Sequence, residues 1–172
     1  ETNALGNVSE TAYDQRGRVV WTKDASGVQA WNEYDILSRP IIMTDGLGAQ
    51  WKTEYDKLDR VVGSTTPIGK TSGLAYDEVG QLVASKHPSG AVDSFGYDAL
   101  GNQTTYTNAE GQVYRMAYDA MGRVLTVRNA IGDQVGTNTY DLKGNLVRFV
   151  DGMGSVRSYS YDALNRLLSR TT

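Results

Sequence analysis

Apolar and polar residues alternate within short segments of this chain, and polar turns separate the segments at regular intervals. Runs rich in Val, Tyr, Thr and Trp occupy residues 18–23, 28–34, 112–118 and 123–128. In the third run, Tyr114, Met116 and Tyr118 would share one face of an extended segment. Val113 and Arg115 would share the other face. Such runs, bounded by Gly, Asp, Asn and Pro, predict β-strands rather than helices.

The segments belong to a repeat that is marked by the dipeptide Tyr-Asp. Its eight copies are Tyr13-Asp14, Tyr34-Asp35, Tyr55-Asp56, Tyr76-Asp77, Tyr97-Asp98, Tyr118-Asp119, Tyr140-Asp141 and Tyr161-Asp162. Successive tyrosines are 21 residues apart, except for one step of 22 residues between Tyr118 and Tyr140. A fixed period in the twenties is the signature of a repeat architecture. We therefore predict that residues 1–172 form one array of eight repeats of 21–22 residues.

Two turns of the same chemistry occur in each repeat. The first has the form Asp-x-x-Gly directly after the tyrosine, with its glycine at Gly17, Gly80, Gly101, Gly122 and Gly144. The second comes about ten residues later and ends at Gly27, Gly48, Gly69, Gly90, Gly111, Gly132 or Gly154. Asp or Asn at the first position and Gly at the fourth are typical of a type I turn, and Pro67 and Pro88 suit its second position.

The turns and segments together predict an all-β fold, a repetitive antiparallel meander of about sixteen strands at two strands per repeat. Long open sheets twist and coil, so we expect a curved or spiralling sheet whose two faces are each only partly apolar. The position seven residues after the tyrosine is aliphatic in all repeats but that of Thr104, namely at Val20, Ile41, Val62, Val83, Leu125, Val147 and Leu168. The single inserted residue predicts a β-bulge, for which Gly136 is the expected site.

Neither end of the chain resembles a polar capping repeat, which repeat arrays ordinarily need for solubility. We therefore expect the chain to be a piece of a longer array. Unpaired edge strands favour self-association, which is a further expectation for this chain.

Composition narrows the possible functions. The net charge is −3 with both signs scattered along the chain, which disfavours nucleic acid as a partner. There is no cysteine, so neither disulfides nor cysteine-based metal sites can form. No run approaches the roughly 18 apolar residues of a membrane span, and no signal peptide is visible in the sequence.

Several residues are candidates for binding or catalysis. The repeated aspartates could form a row of cation sites, but the Asp-x-x-Gly spacing favours turn capping. Arginines four residues after an aspartate favour ion pairs across the turn or stacking on a neighbouring tyrosine, and they are Arg18, Arg39, Arg60, Arg123 and Arg166. The single histidine, His87, stands at a turn position without an oriented partner.

The aromatic residues outside the Tyr-Asp pairs offer a second functional interpretation. Trp21, Trp31, Trp51, Tyr106 and Tyr114 could form a surface on which a sugar stacks. They are not in phase with one another, which favours scattered packing on the sheet. We predict no catalytic residues, no cofactor and no metal.

The repeat unit Tyr-Asp-x-x-Gly-Arg-Leu/Val resembles that of the Rhs or YD-repeat family. Residues 13–19 and 118–124 match it fully, and residues 161–167 match it with Asn165 in place of glycine. The resemblance covers the whole chain. Departures are local and comprise Ser38 and Asp59 for glycine, Gln81, Asn102 and Asn145 for arginine, and Pro40 and Gln103 for the aliphatic residue.

The resemblance implies a structural function. Similar repeats in bacterial Rhs polymorphic toxins and insecticidal toxin complexes form a spiralling sheet that closes into a hollow shell around a C-terminal toxin. The expected partners are therefore the rest of a parent Rhs shell and its enclosed toxin, and the expected location is outside the producing bacterium, by secretion or delivery. Teneurins use a similar shell in cell adhesion, which implies the alternative of an adhesion module that binds carbohydrate or a partner protein. Tyrosines packed between strands would favour the shell, and aromatics clustered on an outer face would favour binding.

Overall fold

The computed structural model describes residues 8–172, which form sixteen β-strands and no helix. The strands are β1 (Glu10–Tyr13), β2 (Val19–Lys23), β3 (Gln29–Tyr34), β4 (Pro40–Asp45), β5 (Gln50–Tyr55), β6 (Val61–Thr65), β7 (Thr71–Tyr76), β8 (Leu82–Lys86), β9 (Val92–Tyr97), β10 (Gln103–Thr107), β11 (Val113–Tyr118), β12 (Val124–Arg128), β13 (Gln134–Tyr140), β14 (Leu146–Asp151), β15 (Val156–Tyr161) and β16 (Leu167–Thr171). The start of the predicted array, residues 1–7, lies outside the described residues.

The strands follow one another in chain order in a single open antiparallel sheet, which confirms the predicted fold class. The curvature of that sheet stays a prediction. Two compact units can be distinguished, one comprising Glu1–Ala75 and Ser85–Gly90 and the other Tyr76–Ala84 and Ala91–Thr172. The eight-repeat organisation of the whole chain also stays a prediction.

The strands begin one residue later than the sequence pattern indicated. The expected runs 18–23 and 123–128 start at Val19 and Val124 in the structure. The reason lies in the turn, because the Asp14 amide donates to the Arg18 carbonyl at 2.9 Å. This second bond extends the four-residue turn to a five-residue loop and takes Arg18 out of the strand.

A β-bulge follows the Tyr-Asp turns and explains the aliphatic position. In the β1–β2 hairpin Tyr13 pairs with Val19 and Ala12 with Trp21, so Val20 is the additional residue. The same register shift leaves a residue unpaired in six further hairpins, at Ile41, Val62, Thr104, Leu125, Val147 and Leu168. The alternation of apolar and polar residues did not predict these bulges. At a bulge two residues of one strand lie opposite one residue of its partner, which interrupts the alternation.

The bulge that the sequence placed at Gly136 lies one residue earlier in the structure, at Val135. Val127 pairs with Gly136 and Arg128 with Gln134, so the residue without a partner is Val135. Gly136 keeps a regular place in the ladder for a different reason. A Cβ at Gly136 would lie 2.9 Å from the Phe149 ring, so the close approach of that ring requires glycine.

The sheet has no hydrophobic core in the part of the chain that the structure describes. No apolar side chain of residues 8–172 is fully buried, and strand residues are mostly half-buried. Exposed apolar side chains cluster at the turns, for example Leu47, Leu100 and Met153. Stability must therefore come largely from contacts between neighbouring strands. Among these residues no helix has the length and apolar character needed to cross a membrane.

Candidate functional site

The Tyr-Asp turns lie along one edge of the sheet, which we call the YD edge. Each of the eight tyrosines is the last residue of a strand, and each aspartate starts the following turn. At Asp14, the backbone carbonyl accepts from Gly17 at 3.0 Å. One carboxylate oxygen of Asp14 accepts from the amides of Arg16 and Arg18 at 2.9 and 3.0 Å. The side chain thus caps the turn from within.

The fourth turn position adopts the left-handed conformation. At Gly17, Gly101 and Gly122 φ is 77°, 85° and 75°. The angle φ is also positive at Gly80 and Gly144, where it is 91° in both cases. The three residues that replace glycine adopt the same conformation, with φ of 68° at Ser38, 63° at Asp59 and 61° at Asn165. For a residue with a Cβ this conformation costs roughly 1–2 kcal/mol.

The tyrosine side chains reach back across the sheet to the preceding repeat. The Tyr34 hydroxyl donates to the Val19 carbonyl at 2.8 Å, and the Tyr118 hydroxyl donates to the Gln103 carbonyl at 2.7 Å. The same bond recurs at Tyr55, Tyr97, Tyr140 and Tyr161. Burial raises the pKa of the Tyr118 hydroxyl, with a smaller contribution from the charge of Asp98. Tyrosine therefore joins the last residue of its own strand to the first residue of the neighbouring strand, which belongs to the preceding repeat.

Three arginines join their own turn to the next one along the YD edge. Arg18 Nε donates to the Asp14 carboxylate at 2.6 Å, within its own turn. Arg18 Nη1 donates to the Asp35 carbonyl at 3.2 Å, in the next turn. The guanidinium lies 4.6 Å from the centre of the Tyr34 ring. The turn-spanning ion pair and the tyrosine stacking that the sequence offered as alternatives occur together.

The same set of contacts recurs at two further arginines. Arg39 donates to Asp35 and to the Asp56 carbonyl and lies over the Tyr55 ring. Arg123 donates to Asp119 and to the Asp141 carbonyl and lies over the Tyr140 ring. At Arg60 and Arg166 the bond to the aspartate of their own turn is 2.7 Å in both cases. We call the set of contacts made by Arg18, Arg39 and Arg123 the arginine–tyrosine clasp. It comprises the bond to the aspartate of the same turn, the bond to the aspartate carbonyl of the next turn and the contact with a tyrosine ring.

Asparagine retains only part of the clasp where it replaces arginine. Asn102 Nδ2 donates to Asp98 at 2.9 Å, and Asn145 Nδ2 donates to Asp141 at the same distance. The shorter asparagine side chain retains the bond to the aspartate of its own turn. Asn145 Nδ2 also donates to Asn165 Oδ1 at 3.1 Å.

The residues that replace glycine all accept a bond from the preceding turn. Arg18 donates to the Ser38 hydroxyl at 3.3 Å, and Arg39 donates to the Asp59 carboxylate at 2.8 Å. With the Asn145–Asn165 bond, all three departures from glycine gain a contact 20 residues away in sequence. The added bonds offset part of the cost of the left-handed conformation. The sequence shows these three departures from glycine, but it does not indicate the hydrogen bonds that compensate for them.

Hydrogen bonds hold the turn carboxylates in their charged form. The Arg123 backbone amide, followed by the Arg123 side chain, lowers the pKa of Asp119 below its ordinary value. The Asn102 side chain, followed by its amide, lowers the pKa of Asp98. The pKa is also lowered at Asp14, Asp35, Asp56, Asp141 and Asp162. These carboxylates already accept bonds from their own turns, and no group of acidic or histidine residues within 8–172 is arranged to hold a metal ion.

The second turns form the opposite edge of the sheet, which we call the plain edge. The Asp24 carbonyl accepts from Gly27 at 2.9 Å, and the His87 carbonyl accepts from Gly90 at 2.9 Å. His87 thus occupies a turn position. Positive φ occurs at all seven glycines of this edge, Gly27, Gly48, Gly69, Gly90, Gly111, Gly132 and Gly154.

Four of the five other aromatic candidates form pairs across neighbouring strands, whereas Trp51 lies opposite Met43. Trp21 lies opposite Trp31, and Tyr106 lies opposite Tyr114. The Tyr106 ring stacks on Tyr114 at 5.8 Å and on Phe95 at 5.6 Å. Residues that are out of phase along the chain are therefore brought together by strand register, which the repeat period alone did not indicate.

Comparison with known proteins places these features in a family. The model of a family described as teneurin YD-shell matches residues 3–172. No curated protein sequence is similar enough to count as a relative. Among solved structures, the crystal structure of TcdB2-TccC3 is similar with a TM-score of 0.58 and 17% identity, over 94% of this chain and 11% of that one.

Two related structures give the same result. The Tc holotoxin pore of Photorhabdus luminescens matches with a TM-score of 0.55 and 18% identity, over 94% of this chain and 11% of that one. TcdB2-TccC3 without its hypervariable C-terminal region matches with a TM-score of 0.55 and 14% identity, over 94% and 13%. At these identities the likeness concerns the fold, and this chain spans about an eighth or less of their length. Since the family model covers nearly every residue, the chain belongs to the teneurin YD-shell family.

Proposed function

We propose that this chain is wall material of a shell that encloses a C-terminal toxin of its parent protein. Its function would be mechanical: the wall separates the cargo from proteases and from solvent. The observation that carries the proposal is the clasp, which at Arg18, Arg39 and Arg123 links one repeat to the next along one edge of a sheet that has no core in the described residues. Such a sheet is suited to extend as a wall because its cohesion lies within the layer and requires no second layer.

The tyrosines support the shell over the adhesion alternative. Tyr34, Tyr118 and Tyr140 place their hydroxyls on backbone carbonyls of the neighbouring repeat, so their polar ends are engaged within the sheet. A structural role also agrees with turn carboxylates and arginines that satisfy one another. The chain would accordingly have no enzymatic activity of its own. Delivery outside the producing cell is proposed by analogy with the toxin complexes that share the fold.

Protease protection of the parent protein tests this proposal. The parent would be expressed with its natural flanking sequence and treated with protease, and cleavage of its C-terminal segment followed over time. We expect protection in the native protein and faster cleavage in an Arg39→Ala, Arg123→Ala double variant that weakens the wall. The matched control is Leu47→Ser, Met153→Ser at exposed positions of the plain edge. A C-terminal segment cleaved at the same rate in all three proteins would overturn enclosure.

Adhesion remains the second candidate because of the three stacked rings. Phe95, Tyr106 and Tyr114 lie side by side on β9, β10 and β11. Aromatic faces in such a row can stack against the apolar face of a sugar. Titration with oligosaccharides would quench or shift tyrosine fluorescence if this surface binds them, and Tyr106→Ser would abolish the change. An unchanged spectrum across a glycan panel would remove this candidate.

A further inference from the structure

Two arginines of neighbouring strands face each other in the described sheet. Arg115 of β11 lies directly opposite Arg128 of β12. Residues that are opposite each other on antiparallel strands point to the same side of the sheet, with Cβ atoms about 5 Å apart. Both arginines are exposed. Like charges in this arrangement destabilise a sheet, so the pair needs a counter-charge.

A third arginine lies on the same side of the sheet. The strand register runs from Thr126 through Thr137 to Val150, which places these three residues on one side. Arg128 is two residues after Thr126 and therefore points to that side. So does Arg148, which is two residues before Val150 and is exposed. We call this side of β11, β12, β13 and β14, with its three arginines, the arginine face.

In the described strands the arginine face has no carboxylate that balances these charges. Within residues 8–172 none of its three arginines forms an ion pair, in contrast to the clasp arginines. Arg128 Nη1 donates to the uncharged Gly132 carbonyl at 2.9 Å. The other residues of this side that pair across strands are Val113, Ala117, Thr126, Gln134, Thr137, Thr139 and Val150. An anion from outside the chain would therefore relieve the repulsion between Arg115 and Arg128.

We propose that the arginine face binds a sulfated polysaccharide. Arg115 and Arg128 present two guanidinium groups to one sulfate, and a guanidinium group binds an oxyanion through two parallel hydrogen bonds. Arg148 lies two strands away from Arg128 and is displaced along the strand direction, which separates the two by roughly 16 Å. A small anion does not span that distance, whereas a polymer with several charged groups does.

The remaining side chains favour a polysaccharide over a nucleic acid. Proteins that bind single-stranded nucleic acid stack its bases on aromatic rings, and this side of β11–β14 has no aromatic residue. Proteins that bind duplex DNA often neutralise about six to ten phosphates, and this face has three cations. Thr126, Thr137 and Thr139 lie among the arginines, and their hydroxyls suit the hydroxyl and ether oxygens of a sugar chain.

The strand pairing disfavours an acidic peptide as the ligand. An extended peptide gains much of its affinity by adding a strand to a free sheet edge. The strands β11–β14 are paired on both sides, so a peptide on this face would have side-chain contacts alone.

The proposal goes beyond the wall function and does not depend on an enclosed toxin. It is also separate from adhesion through the three stacked rings. Tyr114 directly precedes Arg115 in β11, so that row of rings lies on the opposite side of the sheet.

Calorimetric titration of the 172-residue chain with a heparin oligosaccharide tests the proposal. We expect binding that weakens as salt is added, because salt screens exposed charges. Arg115→Ser with Arg128→Ser should weaken binding roughly a hundredfold, about tenfold for each charged donor removed. The matched control is Arg157→Ser with Arg170→Ser, which removes the same charge from the opposite side of the sheet and should bind nearly as tightly as the unsubstituted chain.

Two further measurements separate binding from folding. Arg115→Lys with Arg128→Lys retains both charges but loses the paired hydrogen bonds, so its affinity should lie between those of the unsubstituted chain and the serine double variant. The oligosaccharide should raise the urea midpoint of the unsubstituted chain, because a ligand of the folded state stabilises it, and leave that of the serine double variant unchanged. Circular dichroism verifies that every variant retains its sheet.

The proposal is overturned if the unsubstituted chain does not bind the heparin oligosaccharide at low salt. It is also overturned if the control double variant loses as much affinity as Arg115→Ser with Arg128→Ser, because net charge alone would then account for binding. Equal binding of the desulfated oligosaccharide would show that sulfate is not recognised. Tighter binding of polyglutamate or of a single-stranded oligonucleotide at the same salt concentration would assign the face to an acidic peptide or to a nucleic acid instead.

Discussion

The two edges of the sheet are built from the same turn but differ in what surrounds it. On the YD edge, a Cβ at Gly122 would lie 3.0 Å from the Asn102 side chain, and one at Gly101 would lie 3.2 Å from Gln81, whereas one at Gly17 would meet nothing within 4 Å. On the plain edge, a Cβ at any of the seven turn glycines, such as Gly111, would meet nothing within 4 Å. On the plain edge, a Cβ at Gly46 would lie 3.3 Å from the Gln29 carbonyl oxygen, and one at Gly152 would lie 2.8 Å from that of Gln134. Neighbouring turns thus lie close together on both edges, but in the described residues the arginine–tyrosine clasps lie on the YD edge.

The difference explains where sequence variation is tolerated. Asp, Asn, Thr and His all start turns of the plain edge, at Asp24, Asn108, Thr66 and His87. On the YD edge the first residue is aspartate in all eight repeats. A plain turn requires only an acceptor for its own amides, which several residues supply. At the five YD turns that carry an arginine, the carboxylate also holds the arginine side chain, so it has two functions.

A fall in pH should produce the largest difference in stability between the YD edge and the plain edge. Seven YD aspartates have a pKa below the ordinary value of 3.8, as do Asp24 and Asp151 on the plain edge. A carboxyl whose pKa is lower in the folded chain stabilises the fold above its unfolded pKa, and this contribution disappears as pH falls through the folded value. We expect the urea midpoint to be level above about pH 5 and to fall below about pH 4.

Single substitutions assign that acid sensitivity to an edge. Asp119→Asn retains the turn acceptor but removes the charge that holds Arg123, and it should reduce the acid-dependent part of the urea midpoint. Asp151→Asn on the plain edge should reduce it less, because its carboxylate has no clasp arginine. An equal reduction in both variants would mean that turn capping alone causes the acid sensitivity.

Removal of a clasp tyrosine should have the next largest effect. Tyr118→Ala deletes a half-buried ring and the bond to Gln103, and we expect a loss of about 3 kcal/mol in the free energy of unfolding. Tyr118→Phe keeps the ring and should cost about 1 kcal/mol. Met153→Ser, at an exposed tip of the plain edge, should stay within about 0.5 kcal/mol. Urea denaturation of the three variants measures these differences, and a Met153→Ser cost equal to that of Tyr118→Ala would contradict the role of the YD edge.

The arginines should show a graded effect along the same edge. Arg123→Ala removes the ion pair with Asp119, the bond to Asp141 and the contact with the Tyr140 ring, so we expect a loss of about 1–2 kcal/mol. Arg166→Ala removes one exposed ion pair and should cost less than about 0.5 kcal/mol. Thermal unfolding at low protein concentration compares the two. Equal costs would show that the inter-turn contacts of Arg123 contribute nothing to stability.

Alanine at the turn glycines should give the smallest difference between the edges. Gly111→Ala and Gly122→Ala both force a Cβ into the left-handed conformation, at a cost of roughly 1–2 kcal/mol. Gly122→Ala also crowds Asn102 and should cost about 0.5 kcal/mol more. Parallel urea curves of both variants provide the measurement. A larger loss from Gly111→Ala would contradict the openness of the plain edge.

Much of the local structure follows from the residues themselves. The Tyr-Asp period, the Asp-x-x-Gly spacing and the β-branched runs predicted the strands, the turns and their order, because each depends on backbone preferences over four to seven residues. The sequence placed the starts of two strands one residue too early, at Arg18 and Arg123. Each of these residues is the fifth residue of the preceding loop, and its amino-acid type does not indicate that position. The extra residue of β13 was assigned to Gly136 instead of Val135 because the space beside Phe149 cannot be read from sequence.

The sequence by itself determined that this chain is an antiparallel array of short strands, since period and turn chemistry act within a single repeat. Only the tertiary structure decided how one repeat holds the next. The Tyr34 hydroxyl reaches a carbonyl 15 residues earlier, and Arg39 reaches the side chain of Asp59, 20 residues later. Such contacts depend on strand register and on the bulge that shifts it, which are properties of the assembled sheet rather than of any one segment.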